Sequence, residues 1–196
     1  MADLIYLSLW WKQHQVMGFH RQMARLVRSF PFSPQSEQCY LRVSAVDSSE
    51  PALFEQTYVV AEQREEMLGA MERWTSADIC FEIEGYWDLW QWGEEGWRLS
   101  PSRVNLFFHG PEYETDLGDA VRVELGLDLH FVPEVVEAGS ARYYQSNIRS
   151  VLQLGIDWEQ QTPVRERRLW SESGDPLEAR LRKLAGELME NRQRLN

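Results

Sequence analysis

Apolar positions along this chain recur with a period that switches between two and about 3.6, and the switches delimit its elements. Residues 4–11 are apolar and rich in strand formers. Over residues 12–30 the stripe Val16, Phe19, Met23, Leu26, Val27 and Phe30 has helical spacing, and Pro31 and Pro34 terminate it. Residues 38–47 and 53–59 read as strands around a Ser48-Ser49-Glu50-Pro51 turn, and residues 61–74 as a helix with Met67, Leu68, Met71 and Trp74 inward. A long strand follows. It sets Ile79, Phe81, Ile83, Trp87 and Leu89 on one face and Cys80, Glu82, Glu84, Tyr86, Asp88, Trp90 and Trp92 on the other.

The order to this point is β-α-β-β-α-β. It resembles the split βαβ, ferredoxin-like plan over residues 1–92, an antiparallel sheet with both helices on one face. The resemblance is one of element order and carries no functional motif. Past the Gly93-Glu94-Glu95-Gly96 turn, residues 97–99 can pair back on residues 90–92. Residues 103–109 and 120–131 make further antiparallel strands, and residues 133–140 a linker. Residues 141–158 are helical, with Tyr144, Ile148, Val151, Leu152 and Gly155 on one face. Asp175-Pro176-Leu177-Glu178 is a helix start, with an acceptor at the cap and proline in the first turn. The prediction is an α+β protein in one compact domain. It consists of a ferredoxin-like unit (1–92), an antiparallel strand extension (93–140) and C-terminal helices packed on the sheet (141–196).

Charge narrows the partners. Residues 45–141 hold twenty-one acidic and five basic side chains, while both flanks are mildly basic and the whole chain carries −11. That field repels phosphate backbones, which argues against nucleic acid. The N-terminal apolar run is too short to span a bilayer and no later stretch reaches that length, so no membrane is expected. Cys39 and Cys80 fit neither a metal spacing nor a disulfide framework, and a reducing cytoplasm is the expected compartment. In the ferredoxin-like strand order they would lie on opposite edge strands about 14 Å apart, and hence unpaired. No cofactor is predicted.

Three sets of residues can carry chemistry. The outward sheet face collects Tyr6, Trp10, Arg42, Glu82, Glu84, Tyr86 and Trp90, aromatic area with a few charges that suits a small polar ligand or a protein partner. The bland alternative is that the C-terminal half covers this face and Arg42 neutralises a glutamate. His109, Glu112 and Asp116, in a loop after a strand, are the alternative metal set, although no established ligand spacing surrounds them. Leu177, Leu181, Leu184 and Leu188 stripe the last helix, which can dock within the chain or make a homodimer contact. The leading expectation is a non-catalytic binding or interaction module. The alternative is a hydrolase-type enzyme using Glu82, Glu84, His109 and Glu112, with or without a divalent metal.

Overall fold

The computed structural model describes residues 2–46, 51–133, 139–174 and 176–194. Along the chain run β1 (Leu4–Trp11), α1 (Val16–Ser29), β2 (Gln38–Ala45), β3 (Phe54–Val59) and α2 (Val60–Met71). They are followed by β4 (Ile79–Gly93), β5 (Gly96–His109), β6 (Val121–Leu127), α3 (Ala141–Gln161), β7 (Val164–Ser171) and α4 (Glu178–Arg194). The predicted turn at residues 48–51 and linker at 133–140 fall largely outside the described residues, as does the cap Asp175. Among the described residues no helix is long and apolar enough to cross a membrane.

Local chemistry explains most boundaries. Phe30 precedes a proline, and its ψ of 131° is the extended conformation that position favours, so α1 stops at Ser29. At the end of α3 the Thr162 hydroxyl donates to Trp158 O, and Pro163 cannot continue the helix. β4 and β5 meet across a two-residue turn, with Gly96 at a φ of 106° that only glycine adopts readily. The register pairs Trp92 with Trp97 and Trp90 with Leu99, as the sequence predicts.

All seven strands form one antiparallel sheet in the order β3-β2-β4-β5-β6-β1-β7. The α+β class and the antiparallel extension hold, but the ferredoxin-like strand order does not. That order needs β1 between β4 and β3. Instead β4 has β2 on one edge and β5 on the other, and β1 lies between β6 and β7. The tight β4–β5 hairpin claims the edge that β1 would have used, because closing two residues costs less chain entropy than bridging the long segment between β1 and β4. β7, a charged edge strand, is a further difference, since its arginines leave only Leu169 and Ser171 as a buried alternating pair.

Inward-facing residues of six strands, Leu7, Leu41, Ile83, Leu106, Val123 and Leu169 among them, share one buried cluster with Phe19, Met23, Leu68, Ile148, Trp158 and Leu181 of the four helices. The helices therefore cover one face of the sheet only. Trp87 sits at the centre of that core, with Phe30 and Phe131 each 6.3 Å from it, and Phe30 is 6.0 Å from Trp158. The leucine stripe of α4 is spent inside the chain, with Leu177, Leu181 and Leu188 all buried.

Beyond its pairing with β2, β4 has a bare edge. Phe32 bridges to Trp87, and Asn147 of α3 finishes the edge: its Oδ1 accepts from Trp90 N at 2.9 Å, and its Nδ2 donates to Trp90 O and His130 O at 2.8 Å each. A side-chain amide thus does what a neighbouring strand would do. Both cysteines are free, but not for the predicted reason. They lie on adjacent strands and on opposite faces: Cys39 points into the core against Met67, while Cys80 points outward opposite Ser44.

Candidate functional site

The outward face carries polar residues in register. One row runs Arg42 (β2), Glu82 (β4), Phe107 (β5), Arg122 (β6) and Ser8 (β1); the next holds Ser44, Cys80 and His109 on β2, β4 and β5. Directly opposed residues on neighbouring strands share a face, so the pairing alone brings these groups together.

The segment between β5 and β6, residues 110–120, folds back over this face. At its start Gly110 N donates to Ile79 O at 2.6 Å and Glu112 N to Ala77 O at 2.8 Å. A Cβ at position 110 would stand 2.4 Å from Ala77 O, so only glycine permits the approach. At its end Asp119, 1 % exposed, accepts from the Ser8 hydroxyl (2.8 Å), from Arg122 Nε and Nη2 (2.8 Å each) and from the Thr115 hydroxyl (3.1 Å). Arg122 also reaches Asp116 at 2.6 Å, and Trp10 Nε1 donates to Leu117 O. Burial pushes the Asp119 carboxyl up. The Arg122 hydrogen bonds and charge, aided by His109 and Ser8, outweigh that and hold it below the usual carboxylate range.

Loop and sheet enclose an open depression of about 270 Å³, to which Ser44, Cys80, Glu82, His109, Tyr113 and Glu124 all contribute. The His109 imidazole lies parallel to Tyr113 at 5.4 Å and to Phe107 at 6.3 Å. Its Nδ1 is 2.8 Å from Asp119 O, and because a carbonyl can only accept, Nδ1 carries the proton and Nε2 presents a lone pair. Burial lowers the pKa of His109, against the pull of Asp119, so the ring is neutral at pH 7. Glu82 is raised, chiefly by burial; Arg42 opposes that and Glu124 and Glu84 add to it. Cys80 is raised far above the ordinary thiol range by burial and by Glu82, which makes it a poor nucleophile.

Three polar groups on this floor have no protein partner among the described residues. The Ser44 hydroxyl and His109 Nε2 belong to side chains only 6 % exposed, and no donor reaches the Glu82 carboxylate.

Of the residues predicted for a ligand, Arg42 and Glu82 line the depression. Tyr6 shares the face but stacks on Trp170 at 4.5 Å, and Trp10 is buried in anchoring the loop. Glu84 is paired with Arg103 at 2.5 Å, and Tyr86 lies further along β4. Trp90 packs on Tyr143 of α3 at 4.8 Å, near the hairpin tip where Trp92 is 65 % exposed. In the metal set, His109 and Asp116 line the depression but Glu112 does not, and Arg122 occupies Asp116. Among the described residues no three His, Cys, Asp or Glu side chains are placed to share an ion. The sequence alone does not point to Phe107, Arg122 and Glu124, because their proximity to Glu82 depends on β5 and β6 lying beside β4, nor to Tyr113, which reaches the site only through the fold of the loop. No known protein family, curated protein or solved structure matches this chain.

Proposed function

We propose that this protein is a non-catalytic binding module that takes a small polar ligand into the depression between the outward sheet face and the 110–120 loop. One observation carries the reading: Ser44 Oγ, Glu82 and His109 Nε2 stand on the floor without protein partners among the described residues. Polar groups that bond nothing within the protein and open onto a depression are met by solvent or by a ligand that brings complementary groups. Three such groups facing one opening are what a polar ligand satisfies. The walls suit the role, since the stacked rings of Phe107, His109 and Tyr113 supply area and a fixed imidazole orientation.

The hydrolase alternative finds less support. Neither Ser44 nor Cys80 is hydrogen-bonded to His109, so neither candidate nucleophile of the depression is paired with that imidazole. Of the four residues that reading names, only Glu82 and His109 share the depression.

A screen of polar metabolites by two-dimensional NMR on the labelled protein tests the proposal. A hit should move the amides of Ser44, Cys80, Glu82, Phe107 and His109 as one group and raise the melting temperature by mass action. Hits confined to the hairpin tip around Trp92 and Trp97 would contradict it.

A further inference from the structure

We infer that the ligand of this depression is a small molecule carrying a cationic N–H donor, a primary ammonium or a guanidinium group. This rests on the binding reading above and adds the charge and the donor count. The floor sets the acceptors of Ser44, Glu82, Glu124 and His109 against the guanidinium groups of Arg42 and Arg122. The Nδ1 proton of His109 is spent on Asp119 O, leaving only the Nε2 lone pair to face the opening. Ionised Glu82 can only accept. Glu124 accepts from Asn105 Nδ2 at 2.7 Å and has acceptor capacity to spare.

The register converges these groups. Ser44 and His109 flank Cys80 in one row, about 9.6 Å apart over two interstrand spacings, and Glu82 stands two residues along the same central strand. A group above the Cys80 thiol is therefore surrounded by a hydroxyl oxygen, an imidazole nitrogen and a carboxylate. An ammonium brings three donors to that point and a guanidinium five, whereas a neutral hydroxyl brings one.

Charge points the same way. Arg122 is committed to Asp116 and Asp119, and Arg42 has Glu55 3.7 Å from its Nε. An entering anion would meet three carboxylates, Glu82, Glu114 and Glu124, against two guanidinium groups, of which Arg122 is closely paired already. The 270 Å³ space admits a small amine and not a folded partner.

The test is a set of NMR titrations with n-butylammonium, n-butanol, butyrate and a short lysine-containing peptide. Butylammonium should shift the amides of Ser44, Cys80, Glu82, Phe107 and His109, with butanol at least about tenfold weaker and butyrate inactive. Glu82→Gln should weaken butylammonium about tenfold or more, and Ser44→Ala severalfold, both with otherwise native spectra. Glu94→Gln, which removes the same charge from the exposed hairpin turn, should leave affinity unchanged and so exclude a general field effect. Shifts at these amides with butanol or butyrate but not butylammonium would overturn the cation assignment while leaving the binding reading standing. Response to the peptide alone would overturn the small-molecule assignment, and silence from all four probes would overturn the inference outright.

Discussion

Asp119 shows how one side chain can hold a site together without facing a ligand. It ties β1 through Ser8, β6 through Arg122 and the covering loop through Thr115, and its backbone carbonyl sets the tautomer of His109. Removing one partner of a buried charged pair leaves the other uncompensated. Asp119→Ala should therefore cost about 3–5 kcal/mol in urea denaturation, far more than a surface change. Glu82 should behave in the opposite way. It is half-buried with no hydrogen-bond donor among the described residues, so Glu82→Gln is expected to leave stability unchanged or slightly higher. A loss above about 2 kcal/mol would reveal a buried partner and remove Glu82 from the floor of vacant acceptors.

At the scale of elements, the loop over the face depends on one glycine. The Cβ of Gly110→Ala would collide with Ala77 O at 2.4 Å and Ile79 O at 2.9 Å, both of them backbone, so β4 and the loop must separate. The expected loss is about 2 kcal/mol or more, together with weakened ligand binding. Gly69→Ala is the matched control: it sits within α2 with nothing inside 4 Å and should stabilise by about 0.5–1 kcal/mol. The elements themselves were largely legible, because β4, α1 and α2 each follow a single period and end at prolines, glycines or polar turns. Their arrangement was not. Period two makes β1 and β4 strands but says nothing of which edges they take, and the six residues of β3 look the same beside any neighbour. Half of the site suffered accordingly. Arg42, Glu82 and His109 stood out as charged or titratable residues on strands, while Phe107 and Glu124 gained meaning only from their neighbours. Tyr6 and Trp10 were grouped with Glu82 through the strand order that proved wrong. Asn147 had no visible signal, since an asparagine in mid-helix reveals no strand edge to be completed.

For the molecule as a whole, the helices on one face leave the other as a charged sheet surface that includes the depression, so titration of that surface feeds directly into stability. His14, His109 and His130 all have pKa values lowered by burial. Below the unfolded histidine value of about 6.5 the unfolded chain binds more protons than the native one, so stability must fall as pH drops. Glu82 has the opposite sign, because its raised pKa lets the native state take up a proton first and regain stability near the unfolded carboxylate value. Asp119, depressed, withdraws its contribution only as pH falls below that of an ordinary aspartate. The urea midpoint should therefore decline between pH 7.5 and 5.5; a flat or rising midpoint would show that the histidines are not buried as neutral rings. The most direct test of the acceptor floor is a long-range proton–nitrogen NMR spectrum of the His109 imidazole at neutral pH, recorded before and after saturation with n-butylammonium. The expected result is a neutral ring protonated on Nδ1, with an Nε2 resonance that moves on saturation. A ring protonated on Nε2, or an Nε2 resonance indifferent to the amine, would contradict it.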